Sequence, residues 1–305
     1  MKLREAIDWG RLAPLRLISR SVADGVYAGV HRSFRRGAGV EFGGHRNYLP
    51  GDDLRFLDRH ARMRHGQLLI REFETETDRA VRLIVDASAS MSFKSDQALG
   101  AKYAYAAVIA AALARIALVR GDRVSLDFVA GERTVPLPST GGRDAFERIV
   151  GHLETAAPGG AADASSLERA LAPTARYARR GAAIVVLSDL LDLPANAADL
   201  IAGLGTGGRT IVLVQVLDPV ERSFPFQGPM AFRSLEGDVH VETDAGAVRE
   251  AYLQALNEVT RAFEGRIVAR GGLLVPATSA DDPVQSVRRV LAALAGVGDV
   301  AGGAA

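Results

Sequence analysis

Three short runs, Val81–Val85, Ala182–Leu187 and Thr210–Val216, are almost continuously apolar and rich in Val, Ile and Leu. Strands covered by helices on both faces read this way, whereas a strand with one wet face alternates. Helical patterns fall between them, at about 96–119, 143–155, 165–178 and 195–203, and the first of these is apolar nearly all round. Strand and helix in alternation define a doubly wound α/β domain with a mostly parallel sheet, expected over residues 78–218. Two further pieces sit nearer a sheet edge: Val124–Val129 alternates, and the short Thr134–Leu137 contains Pro136.

The flanks differ in character. Residues 1–36 are expected to be a helical segment. Residues 37–77 mix Gly and Pro turns with short apolar pieces and read as a small separate module. Residues 219–295 read as a C-terminal α/β extension, largely helical, with helices at about 246–264 and 283–295 around Gly272–Pro276. Residues 296–305 read as a frayed tail.

Composition narrows the chemistry. With 305 residues a chain can bury roughly three quarters of its unfolded surface, so no metal or disulfide is needed for stability. Cysteine is absent, which removes thiolate zinc sites, iron–sulfur clusters, disulfides and cysteine nucleophiles. The 6 His form no zinc-binding pair, and His45, His60 and His65 fit no ligand spacing. Oxygen ligands are what remain. No apolar run reaches the ~18 residues of a membrane-spanning helix; the longest, Tyr103–Ala114, stops at Arg115, and Glu5 and Asp8 interrupt the start of the chain. A soluble, cytoplasmic protein is the expectation. The formal net charge of +1 conceals a basic block over residues 11–71, where 12 Arg face five acids. Such a block suits an acidic protein face, with nucleic acid as the alternative.

The line Val81-Arg-Leu-Ile-Val-Asp86-Ala-Ser88-Ala-Ser90 carries the chemistry. A buried strand ends in a carboxylate, with hydroxyls two and four residues on. Ligands of doubly wound sheets bind outside the carboxyl ends of strands, so Asp86, Ser88 and Ser90 share one loop over that crevice. A carboxylate and two hydroxyls are hard donors that match Mg²⁺, which keeps several waters. Asp189, at the end of Ala182–Ser188, supplies a second acid from another strand end. The same residue types also suit helix caps and turns.

Other readings are weaker. Gly203-Leu-Gly-Thr-Gly-Gly208 follows a helix and opens a strand, the reverse of a dinucleotide fingerprint, and no phosphate-binding P-loop motif occurs. An Asp86-based phosphotransferase is the enzymatic alternative, but Ser88 stands where such enzymes place a second carboxylate. Neither serine has the flanking glycines of a nucleophile elbow.

Asp86-x-Ser88-x-Ser90 with Asp189 resembles the metal-ion-dependent adhesion site of von Willebrand factor A domains. The upstream text is more specific. His45-Arg-Asn-Tyr-Leu-Pro-Gly51-Asp52-Asp53-Leu-Arg55, then Asp58, Ala61-Arg62 and Arg71-Glu72-Phe-Glu74, resembles the signature of the bacterial domain-of-unknown-function family fifty-eight, over about Gly37 to Leu294. Leu217-Asp218-Pro219-x-Glu221 fits too. That family is commonly encoded beside MoxR-type AAA+ ATPases. The resemblance implies a non-catalytic, metal-dependent adaptor that holds Mg²⁺, or Mn²⁺ or Ca²⁺, and offers a coordination position to an acidic residue of a partner. The implied partner is a MoxR-type ATPase, with no nucleic acid. Asp86, Ser88 and Ser90 would be direct ligands, Asp189 a direct or water-mediated one, and Asp163 an outer contributor. Asp52, Asp53, Arg55, Arg59 and Arg62 would form a partner-binding face. Two departures stand out: Asp58-Arg59 replaces the family's Asp-Trp, and Ala162, before Asp163, fills the slot of a usual Thr ligand. Ser165, Ser166 and Thr140 are the candidate substitutes.

Overall fold

The computed structural model describes residues 15–29, 42–47, 69–73 and 80–302, and side chains over 15–26 and 80–296. The elements run α1 (Leu15–Gly29), β1 (Phe42–Asn47), β2 (Leu69–Phe73), β3 (Ala80–Asp86), α2 (Lys102–Val119), β4 (Arg123–Val129), β5 (Leu137–Thr140), α3 (Ala145–Thr155) and α4 (Ala164–Tyr177). They continue with β6 (Ala183–Ser188), α5 (Ala197–Gly203), β7 (Thr210–Leu217), α6 (Pro219–Ser223), β8 (Pro229–Arg233), β9 (His240–Asp244), α7 (Ala245–Val268), β10 (Leu273–Thr278) and α8 (Pro283–Gly302).

Six strands form the central sheet in the order β10-β7-β6-β3-β4-β5, parallel except for the antiparallel β4–β5 pair. This is the doubly wound α/β architecture expected from the apolar runs. Val85 pairs with Leu187, so β3 and β6 end side by side. From β3 the chain winds outward to β4, while from β6 it winds the other way to β7 and β10. The crevice between β3 and β6 is therefore the topological switch point, where ligands of such sheets bind.

Alternate residues feed two cores. Leu83, Val85, Leu126 and Leu187 pack with α2 on one face, and Ile84, Val129, Val186 and Leu213 pack with α4, α5 and α7 on the other. Helix α2 sits in the middle of the first core. Its Ala-rich run has high helix propensity, and nearly every residue from Lys102 to Ala117 is buried, as a helix apolar on all sides must be. Among the described residues α2 alone has the length and hydropathy of a membrane span, yet 83% of it lies inside the fold as core.

Several boundaries are corrected. The helix expected from residue 96 starts at Lys102, because Ala89–Ser92 forms a 3-10 turn and the following loop is tied down elsewhere. The sheet domain does not end at 218: β10 comes from the presumed C-terminal extension and completes the sheet beside β7. Pro276 is tolerated there because β10 is an edge strand. The extension also contributes a two-stranded hairpin, β8–β9, outside the main sheet. Helix α8 continues through Gly302, past the tail boundary placed at 296. Upstream, α1 packs on α2 and α8, and β1 pairs antiparallel with β2 within the 37–77 segment.

Candidate metal centre

Asp86 ends β3 and is buried. Its Oδ1 accepts from Ser88 N at 2.9 Å and its Oδ2 accepts from Ser188 Oγ, at the end of β6, at 2.6 Å. Ser88 Oγ lies 3.1 Å from Ser90 Oγ. Asp86, Ser88 and Ser90 lie together in this loop, and Ser188 at the neighbouring strand end joins them. Burial, and then the charge of Asp189, pushes the Asp86 carboxyl up to about 6. No lysine or arginine is bonded to it among the described residues.

The loop is held by backbone on two sides. Ala87 N donates to Val129 O at 2.9 Å, Gly159 N to Ala87 O at 2.9 Å, and Ala89 N to Gly160 O at 2.8 Å. Gly131, at φ 86°, passes so close that a Cβ there would lie 2.7 Å from the Ala87 Cβ. The oxygens are thus positioned without help from a ligand, the preorganisation a binding site requires.

Asp189 belongs to a second, adjoining cluster. Its Oδ2 accepts from Lys102 Nζ at 2.7 Å, and its Oδ1 from Leu191 N at 3.0 Å. Lys102 Nζ also donates to Glu221 Oε1 at 2.6 Å, and the ammonium is fully buried. A cation at a helix N-terminus opposes the helix dipole, so Lys102 is there for its carboxylates. Burial alone would lower its pKa, but Asp189 and Glu221 outweigh that and raise it; burial raises Glu221 in turn. Asp218, just after β7, accepts from Val220 N at 3.0 Å, and Glu221 Oε2 accepts from Asp218 N at 2.8 Å, a capping box for α6. Asp218 also accepts from Ser95 N and Oγ, at 2.9 and 2.6 Å, pinning the loop that delays the start of α2.

Lys102, Asp218 and Glu221 were not among the expected site residues. The available signals were a lone lysine opening an apolar helix and an Asp-Pro-x-Glu cap closing a third core strand. Lys102 is thus shared by Asp189 and Glu221, while the buried Asp86 carboxyl has no lysine or arginine bonded to it among the described residues. A buried carboxylate without a cation costs free energy until a counter-ion arrives. A hard dication beside Asp86, Ser88 and Ser90 suits both the charge and the donors. No group of three His, Asp or Glu able to hold a metal occurs among the described residues, so hydroxyls and water must supply much of any coordination shell.

Asp163 is placed differently. It caps α4, accepting from Ser166 N at 2.8 Å and Ser165 Oγ at 3.1 Å, and lines a neighbouring cleft of about 410 Å³ with Glu132 and Arg169. These bonds hold its carboxyl below the usual range. The three candidate substitutes for the Thr slot are also committed: Ser165 and Ser166 to this cap, and Thr140, on β5, to Arg148 of α3. Thr140 pairs with Val124, at the opposite end of the sheet from Asp86. Ala162 is buried in the core. Asp52, Asp53, Arg55, Arg59 and Arg62 lie outside the described residues.

The site thus lies at the switch point of a doubly wound, mostly parallel α/β sheet. The model of the family described as "Protein of unknown function DUF58" matches residues 44–262, and the chain belongs to that family. It is 28% identical over 241 residues to the uncharacterized protein Rv1480 of Mycobacterium tuberculosis (strain ATCC 25618 / H37Rv), covering 78% of this chain and 75% of that one. Among solved structures it is similar to BatB from Bacteroides thetaiotaomicron, with TM-score 0.44 and 15% identity over 71% of this chain and 98% of the other. It is also similar to a von Willebrand factor type A protein from Catenulispora acidiphila, with TM-score 0.35 and 15% identity over 74% and 44% of the two chains. A third, from Bacteroides fragilis NCTC 9343, has TM-score 0.42 and 19% identity over 70% and 98%, and is described as an aerotolerance-related membrane protein. A Vibrio fischeri structure that also matches is described as a membrane spanning protein. The cytoplasmic location expected from the sequence is withdrawn on these two findings.

Proposed function

We propose that this chain is a non-catalytic protein-binding module that depends on a divalent cation. Asp86, Ser88 and Ser90 hold Mg²⁺, or Mn²⁺ or Ca²⁺ in its place. Asp189, neutralised by Lys102, contributes through water and through its field. The ion, when bound, would supply a Lewis-acidic coordination position for the carboxylate of a partner protein; the chain's own residues would position it. Charge-assisted ligation at an interface is directional and selects partners that present an acid. The observation that carries this reading is the buried Asp86 carboxylate, set beside two hydroxyls at the switch point with no lysine or arginine bonded to it among the described residues.

The partner proposed is a MoxR-type AAA+ ATPase, supported by the resemblance of the His45–Arg55 signature to a family commonly encoded beside such ATPases. The purified chain is expected to retain the ATPase from its own genome in Mg²⁺ and to release it on chelation. Asp86→Ala is expected to retain little in either buffer. Equal retention by both proteins, with and without chelator, would contradict the adaptor reading.

A further inference from the structure

We propose that Glu236 is a built-in acidic ligand of the Asp86–Ser90 site, holding the coordination corner until a partner's carboxylate displaces it. This rests on the metal-dependent reading and adds a regulatory element to it.

Glu236 sits at the tip of the β8–β9 hairpin, which leaves the chain after α6 and returns into α7. The hairpin stands apart from the main sheet, and two-stranded ribbons are marginal alone. Its base is anchored: Phe224, Phe226, Phe232 and Tyr252 form an aromatic cluster with ring centroids 4.5–5.8 Å apart, and Arg249 Nε donates to Phe224 O at 3.0 Å. Its tip is shaped by Ser234 N donating to Val239 O at 2.9 Å and Glu236 N donating to Ser234 Oγ at 3.2 Å. The rest of the outer half is open to solvent, with Leu235, Val239 and Val241 exposed.

From that tip, Glu236 Oε1 accepts from Ser90 N at 3.3 Å, across 146 residues of sequence. Ser90 is the most accessible of the three loop oxygens' residues, Ser88 and Asp86 being sealed. The hairpin therefore brings a carboxylate to the open side of the site. It does so beside the loop whose buried Asp86 carboxyl has no lysine or arginine bonded to it among the described residues. A second carboxylate brought to such a site is favoured when a cation lies between the two. Glu236 thus has the chemistry and the position of the acid that the partner would present.

The test uses Mn²⁺ as the metal probe on the full chain. Binding is followed by electron paramagnetic resonance, inner-sphere water by proton relaxation, and folding by thermal unfolding. Glu236→Gln is expected to weaken Mn²⁺ binding roughly tenfold and to add exchangeable water. It is also expected to let millimolar acetate bind to the Mn²⁺-loaded variant but not to the Mn²⁺-loaded wild type. If wild type and Glu236→Gln bind Mn²⁺ equally, with the same water and the same response to acetate, the role of Glu236 is overturned and the metal site stands. If neither binds Mn²⁺ while both remain folded, the metal reading falls and takes this one with it.

Discussion

Lys102→Met is expected to lower the free energy of unfolding by about 3–5 kcal/mol at neutral pH, the usual cost of removing one partner from a buried ion pair. Methionine keeps the length and most of the volume of the lysine stem, so packing against Phe93, whose ring lies 5.9 Å from the ammonium, is largely retained. What is lost is the charge that reconciles Asp189 and Glu221, both bonded to Nζ at 2.7 and 2.6 Å. Without it the two carboxylates face each other out of water. Taking up a proton then relieves the repulsion, and the folded variant binds protons more readily than the unfolded chain, so its deficit shrinks as the pH falls from 7 toward 5. Urea unfolding of both proteins at the two pH values measures this. A deficit below about 1 kcal/mol, or one that does not change with pH, would mean that the buried ammonium is not what holds the strand ends together.

The second large effect is expected at Gly131. A Cβ at this position meets the Ala87 Cβ and the Thr134 Cγ2, each at 2.7 Å, in a backbone conformation with φ of 86° that L-residues rarely adopt. Both the strain and the collision fall on the loop that carries Asp86 and Ser88. Gly131→Ala is expected to cost on the order of 2–4 kcal/mol, where Gly121→Ala costs about 1–2. Gly121 is the internal reference: its φ is 83°, but nothing lies within 4 Å of its Cβ position. The difference between the two variants isolates close packing from backbone strain. Equal losses would mean that the Ala87 loop gives way easily and is not preorganised.

How much of this was legible in the residues follows from the range over which each signal acts. Continuous apolar runs mark central parallel strands because burial on both faces is a property of the strand's own side chains, and β3, β6 and β7 were readable for that reason. Asp86, Ser88, Ser90 and Asp189 were readable because a strand followed at once by polar residues places them at the strand's carboxyl end. β10 was harder: with Leu273 and Pro276 exposed at an edge, its pattern is that of a connecting segment. The start of α2 was misplaced because Ser95 is held by Asp218, a bond across 123 residues that no local propensity announces. In the sequence Lys102 is a lone charge within the helical run expected over 96–119, and only the meeting of α2 with the ends of β6 and β7 buries it. Asp163 was assigned outward to the metal by resemblance, while its local role, capping α4, is the one the structure gives it.

The central claim is that the oxygens of Asp86, Ser88 and Ser90 form a seat for a divalent cation, and calorimetric titration of Mg²⁺ into the wild type and Asp86→Ala tests it most directly. Asp86 also accepts from Ser88 N and Ser188 Oγ, so thermal unfolding of both proteins accompanies the titration and establishes that the variant is a folded comparison. The wild type is expected to bind one Mg²⁺ saturably, more tightly as the pH rises through about 6 because the bound proton must leave. Asp86→Ala is expected to bind at least tenfold more weakly, with no such pH dependence. Equal heats from the two folded proteins at pH 7.5, or a wild-type affinity indifferent to pH between 5 and 7, would contradict the account.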